Sequence, residues 1–394
     1  MEKAYDAIVV GLGAMGSATL YQLAKFGKNV LGMEQFDPPH TMGSSHGDTR
    51  ITRQAIGEGA QYTPLSLRSY ELFREIEKLT GKSLLTVTGG LIISSEGPVG
   101  ANHVPGFFAN TVEVAKQYGI KHEMLTAAEI RRRFPHFNVC DNERGYFEYE
   151  AGYLRPEECI RAQLALAKQF GAKIHTNEKM QGFDATGSGV TVRTDRGSYQ
   201  CEKLVLSAGP WIVDRVDSEL RALFKVHRQV LYWFDVEKRY EDFAQSPVFI
   251  WEPPGKPQGI YGFPAIDGVD GGFKIATGTY ETSTHPDKVV REVSEEESTE
   301  MFNTYVKPLF PDAGRKIIKS SVCMYTVTGD AGFVIDKHPM TDRVIVCSPC
   351  SGHGFKHSAA IGESVAQLVV AGTSSIDLSE FTFEKRPRET VSTH

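Results

Sequence analysis

The sequence predicts an α/β protein in two interleaved parts, one built on parallel strands and one on an antiparallel sheet. Three observations carry that prediction. A Gly-rich turn sits between an apolar strand and a helix at the start of the chain. Buried-strand character returns at KLVLSAG in the middle and at RVIVCSP near the end. Between them lie aromatic, alternating stretches such as VHRQVLYWFDV and GFKIATGTY. With 394 residues, the chain exceeds the ~250–300 at which single hydrophobic cores stop growing, so two domains are expected.

The first element is DAIVV, residues 6–10, a run apolar on both faces as in a buried parallel strand. GLGAMG follows, with Gly11, Gly13 and Gly16 in the G-x-G-x-x-G pattern, and Ala14 and Met15 between them. SATLYQLAKFG then has helical periodicity and stops at Gly27. A second strand, NVLGME, ends in Glu34. In this Rossmann-like unit Gly11 makes the tight turn and Gly13 admits a pyrophosphate. Gly16 lets the helix pack close, and the helix N-terminus faces the phosphate charge. Glu34 stands about 20 residues on, placed to accept from ribose hydroxyls and to disfavour a 2′-phosphate. NAD and FAD both fit this stretch.

The polar block PPHTMGSSHGDTRITRQAIGEG (38–59) carries Arg50 and Arg53 three apart. A helix follows over PLSLRSYELFREIEKLTG, and LTVTGGLIISS (85–95) reads as a hairpin through its Gly-Gly. Residues 110–133 read as helical up to Pro135. GYFEYEAGYLRPEECIRAQLALAKQFGAKI reads as strand, turn and helix, with Gly171 as the stop. GVTVRTDRGSYQCEKLVLSAGPW gives a hairpin and then a buried strand; 225–280 is strand-rich, and 287–305 a charged helix. The end is the strand RVIVCSP, the loop CSGHGFKHS and the helix AAIGESVAQLVVAG. The expected division is a nucleotide-binding domain of 1–84, 145–218 and 320–394, with 85–144 and 219–319 as the inserted substrate domain.

Composition removes several function classes. The net charge is −6, with no basic stripe for nucleic acid and no like-charged block. No run reaches the ~18 apolar residues of a membrane span. The N-terminus has no signal-peptide pattern, and Ser-Thr-His at the end is not the peroxisomal tripeptide. Six cysteines without a framework spacing fit a reducing, cytoplasmic setting. Cys347-x-x-Cys350 has redox-pair spacing and lies at a strand end.

Eight stretches, GLGAMGSA, GSSHGDTRITR, LSAGPW, YGFP, GFK, VCMYT, FVIDKHP and SGHGFK, occur in an order that resembles one family along nearly the whole chain. They resemble the monomeric sarcosine oxidases and N-methyltryptophan oxidases, within the glycine/D-amino-acid oxidase class of FAD proteins. The resemblance implies a discontinuous FAD-binding domain with an inserted antiparallel-sheet substrate domain. It implies oxidation of a secondary amine to an imine, with O2 reduced to H2O2 and the imine hydrolysed, giving formaldehyde from N-methyl substrates. It also implies a small-molecule amine bearing a carboxylate as substrate, and a monomer.

Residue by residue, the resemblance implies that Cys323 in VCMYT is bonded to the flavin 8α-methyl carbon. Arg53 and Lys356 match the carboxylate-binding pair, an Arg fork with a Lys point charge. Arg50 and His46 match residues against the flavin face, and Lys274 in GFK matches the lysine that activates oxygen. Tyr261 and Tyr325 would line the substrate cavity. Ser44, Ser45, Thr49, Ala208, Gly209, Trp211, Met324, Gly352, Gly354 and Phe355 complete the expected flavin contacts. No metal is expected. One departure stands out. Gly278 occupies the position of a family histidine four residues after the lysine, which implies a reshaped, roomier pocket for a bulkier N-methyl amino acid or a cyclic amine such as pipecolate. The rival readings are a flavin-dependent amine dehydrogenase with another acceptor, a flavin-binding relative without catalysis, and an NAD dehydrogenase. The last leaves SGHGFK unexplained.

Overall fold

The computed structural model describes residues 4–95, 104–280 and 282–387. The C-terminal tripeptide considered above lies outside them. Three sheets organise the molecule. The first is built on parallel pairing of Tyr5–Val10 with Val30–Met33 on one side and Ser198–Leu206 on the other. Lys173–His175 and Thr341–Ser348 extend it in parallel. Ser198–Leu206 also turns its N-terminal half to Gly189–Thr194, so the expected hairpin and buried strand share one continuous strand.

Helix Ala14–Lys25 packs against Pro156–Gln169 and Ser358–Ala371. Gly362 permits the second contact, since a Cβ there would overlap Ala18. Segments far apart in sequence thereby converge beneath the GLGAMG turn.

The second sheet is mainly antiparallel, in the order Ser283–Thr284, Lys225–Val236, Phe273–Thr277, Ile260–Gly262, Val248–Glu252, Gly90–Ser95, Glu143–Glu148, His122–Thr126. Its longest strand, Ala313–Val327, pairs with Lys225–Val236. An aromatic core that includes Phe137, Phe234, Phe249, Trp251 and Phe310 packs against this sheet. A third, small sheet joins Arg50–Thr52, Gly152–Leu154 and Leu85–Val87.

Several expectations are corrected. LTVTGGLIISS is not a hairpin: Leu85–Val87 joins the third sheet and Gly90–Ser95 the second. The two glycines serve close approach, because a Cβ at Gly89 would overlap the Phe147 ring and one at Gly90 would stand 2.5 Å from Ala151 Cβ. The segment 110–133 is not one helix. Phe107–Gln117 ends before Gly119, His122–Thr126 pairs with the sheet edge, and a Thr126/Glu129 capping box starts a second helix at Ala127. Residues 287–294 are not helical either; the helix begins at Glu295 behind a Ser294/Glu297 capping box. Both second-sheet strands Glu143–Glu148 and Ala313–Val327 run across the division points 144/145 and 319/320 expected from sequence.

Candidate active site

One large cavity runs from the GLGAMG turn to the second sheet. At its first end, Gly11 has φ +88°, and a Cβ there would stand 2.5 Å from the Ser207 carbonyl oxygen. Gly13 is the N-cap of Ala14–Lys25 and brings no side chain to close that helix end. Gly11, Gly13, Ala14, Met15 and Glu34 all line the cavity, whereas Gly16 does not. A Cβ at Gly16 would overlap the Gly11 carbonyl oxygen, so this glycine brings the helix onto the turn. One Glu34 oxygen accepts the Leu12 N–H at 2.8 Å, which fixes the carboxylate at the second strand's end.

Ser44, Ser45, Ala208, Gly209 and Trp211 line the same region. Trp211 is held by its Nε1–H to Asp287 Oδ1 at 2.7 Å. Ser44 Oγ is buried without a hydrogen-bond partner. A helix end whose only side-chain acceptor among the described residues is the long 3.3 Å contact of the Ala14 N–H to Ser45 Oγ, an orphaned hydroxyl and a glycine cradle suit a dinucleotide's phosphates.

At the other end stand Cys323 and Tyr325, neighbours but one on Ala313–Val327, with Met324 turned into the opposite core by strand alternation. Cys323 is 1% exposed. Burial pushes its thiol up, against the pull of the Arg50 and Lys274 charges. Tyr325 and Tyr261 bring their hydroxyls within 3.1 Å of each other. Burial pushes the Tyr261 hydroxyl up to about 12.

Arg53 and Lys356 line the cavity together with Glu58 and His353. Arg53 forms a buried ion pair with Glu58, donates to the Ala55 carbonyl oxygen, and stacks 5.0 Å above the Phe107 ring. Its Nε is buried without a partner. Lys356 Nζ donates to the His353 carbonyl oxygen at 2.6 Å. Burial brings Lys356 down to about 7, although Glu58 opposes that fall. Glu58 is held well below the usual carboxylate range by Arg53 first and then Lys356, which outweigh its burial. Two basic side chains and one carboxylate thus share this stretch of the cavity wall.

Gly352, Gly354, Phe355 and Arg50 also line the cavity; Lys274, His46 and Thr49 stand behind its wall. Lys274 is 2% exposed, and its Nζ donates to Gly47 O at 2.6 Å, Thr49 O at 2.8 Å and Thr49 Oγ1 at 3.2 Å. Its ammonium lies over the Phe263 and Trp233 rings. Burial and then Arg50 lower Lys274 well below the usual lysine range. His46 is brought down to about 3 by burial and by the Arg50 and Lys274 charges, so it stays neutral.

Gly278 lines the cavity, with Tyr280 as its neighbour there. Tyr280 lines the cavity, and a Cβ at Gly278 would stand 3.1 Å from Tyr280 Cε2, one at Gly352 2.8 Å from its hydroxyl. Sequence reading missed Tyr280, Glu58 and Glu157. Glu58 lies five residues after Arg53 in the same polar block, and Tyr280 two after Gly278, so proximity in sequence was the available signal. For Glu157, 110 residues from Gly47, there was none. Cys347 and Cys350 are free thiols on the cavity wall, and Cys350 Sγ accepts the Thr326 N–H at 3.4 Å.

A family model described as FAD dependent oxidoreductase matches residues 6–368. A monomeric sarcosine oxidase of Streptomyces avermitilis is 39% identical, covering 97% of this chain and 97% of that protein. An N-methyl-L-tryptophan oxidase of Yersinia pestis is 34% identical, over 97% and 99%. The solved structure of NikD, an unusual amino acid oxidase essential for nikkomycin biosynthesis, superposes with a TM-score of 0.83 at 21% identity, over all of both chains, and so shares the fold.

Proposed function

The chain belongs to the FAD-dependent oxidoreductase family, and on that premise we propose that it oxidises a secondary amine bearing a carboxylate, with O2 as the electron acceptor. The observation that carries this reading is the buried pair Arg53 and Lys356 opening on the same cavity as the GLGAMG cradle. FAD held in this cavity would supply the acceptor for two electrons from the C–H next to nitrogen, with O2 as the final oxidant and H2O2 as its product. Water then hydrolyses the imine, releasing formaldehyde when the substrate is N-methylated.

The chain's own residues bind, orient and desolvate. Arg53 and Lys356 take the carboxylate in place of Glu58, the Arg by a bidentate fork. Tyr261, Tyr325 and Tyr280 wall the amine and exclude water, which favours its uncharged form. Gly11, Gly13 and the helix end behind them receive the pyrophosphate, while Glu34 receives the ribose. Arg50 would face the flavin ring system, Cys323 would tether it, and Lys274 would serve the reaction with O2. The first sheet is the cofactor-binding part and the second the substrate part. A cytoplasmic monomer belongs to the same proposal; the six free thiols and the absence of a membrane-spanning helix among the described residues support it.

The test is an anaerobic visible-absorption titration with sarcosine, N-methyltryptophan and pipecolate. The protein is expected to be yellow and to bleach with one of them. Protein that carries no flavin and takes up none on reconstitution would overturn the reading.

A further inference from the structure

Glu157 and Lys274 bind opposite faces of one turn. The turn is residues 47–49, closed by the Thr49 N–H to the Gly47 carbonyl oxygen at 2.7 Å. Gly47 has φ +99° and Asp48 φ +66°, so a non-glycine residue is held in the left-handed region. Such conformations persist only where the surroundings enforce them. Successive N–H groups in this geometry converge into a concave anion site. Glu157 Oε1 fills it, accepting the Gly47 N–H at 2.6 Å and the Asp48 N–H at 3.2 Å. On the other face, the Gly47 and Thr49 carbonyl oxygens both accept from Lys274 Nζ.

We propose that Glu157 is a positioning residue for the reaction with O2, acting through this turn to hold the Lys274 ammonium in place. The inference rests on the reading of Lys274 given above. Glu157 sits in the first turn of Pro156–Gln169, a helix packed on the nucleotide-binding helix, so the anion is anchored to the rigid part of the fold. Without it, the 47 and 48 N–H groups lose their acceptor, the turn relaxes, and the carbonyl oxygens swing off Lys274. The carboxylate also offsets charge: Arg50 disfavours the Lys274 ammonium, whereas Asp48 and Glu157 favour it. Neutral His46 adds no charge, and Lys319 lies across the Trp233 ring, paired to Asp48.

Glu157→Gln keeps an acceptor oxygen but removes the charge; Glu157→Ala removes both. Three readouts apply to each flavin-loaded variant: amide hydrogen exchange of the peptide spanning 44–50, the separate rates of anaerobic reduction and of reoxidation, and the pH profile of reoxidation. Glu157→Ala is expected to exchange faster at Gly47 and Asp48 and to reoxidise about tenfold more slowly, with reduction changed less than about twofold. Glu157→Gln is expected to move the high-pH fall in reoxidation to lower pH. Lys274→Met is run beside them. If it is slow while both Glu157 variants match wild type in exchange, rate and pH profile, the inference is wrong. If Lys274→Met itself reoxidises normally, the underlying reading of Lys274 is wrong. Should Glu157→Ala fail to fold, the Glu157→Gln pH profile decides.

Discussion

Lys274 and Arg50 share an acceptor: Nζ of one and Nη1 of the other each stand 2.8 Å from the Thr49 carbonyl oxygen. Two basic side chains on one carbonyl stand at the end of the cavity that holds Cys323, and burial together with the Arg50 charge weighs against the Lys274 proton. Replacing Lys274 by Met is expected to slow reoxidation by O2 on the order of 100-fold while amine reduction changes severalfold at most. Stopped-flow measurement of the two half-reactions checks this. Equal slowing of both would remove the assigned role.

The thiol of Cys323 tests the tether. In wild-type protein, acid precipitation is expected to leave the yellow colour in the pellet. In Cys323→Ala it is expected to leave the colour in the supernatant. Free flavin from both proteins would end the tether proposal.

Lys356 makes carboxylate binding pH-dependent. Its ammonium, the form that attracts an anion, is lost as pH rises through about 7. A bound carboxylate favours the proton, so the Kd of a simple carboxylate inhibitor is expected to rise above pH 7, by at most about tenfold per pH unit. Inhibitor titrations at pH 6, 7, 8 and 9 measure this, and Lys356→Met is expected to flatten the profile.

If a substrate carboxylate binds Arg53, Glu58 is expected to compete with it. Glu58→Gln removes the anion paired to Arg53, so at pH 6 carboxylate binding is expected to tighten by about tenfold. It also removes the charge that supports the Lys356 ammonium, so the midpoint of the pH profile is expected to fall below 7. Unchanged affinity at pH 6 would show that the ion pair and the carboxylate use different space.

The glycine turn has the least tolerance. In Gly16→Ala the new methyl would overlap the Gly11 carbonyl oxygen, and the first strand and helix must separate. A loss of about 1–3 kcal/mol is expected, with flavin content falling in parallel. Thermal midpoint and the ratio of flavin to protein absorbance report both.

What the sequence reveals here follows how local the cause is. Strand, turn and helix are contiguous around GLGAMG, so that unit could be read directly. The Gly89–Gly90 step could not, because a glycine pair looks the same whether it makes a hairpin or admits Phe147 and Ala151. Polar strand His122–Thr126 owes its state to a partner edge, which no periodicity of its own announces, although Thr126 and Glu129 already spelled a helix start. At the site, Arg53 and Lys356 were legible through shared motifs. Glu157 carries no motif, and only packing of its helix brings it to Gly47. Gly278 does line the cavity, but nothing at that position announced Tyr280 as its neighbour on the wall.

The short steps between sheets bear on how ligands come and go. Two residues separate Val87 in the small sheet from Gly90 in the second, and three separate Glu148 from Gly152 on the way back. Leu206 leads from the first sheet to the second, and Val327 leads back. A clam-shell motion needs a few connectors that swing together about one axis. This chain is laced across the seam in both directions, which disfavours hinge opening of its halves. Traffic of a small substrate and its product is then expected to rely on local motion at the rim, on the nanosecond-to-microsecond scale of loops rather than the slower scale of domain closure.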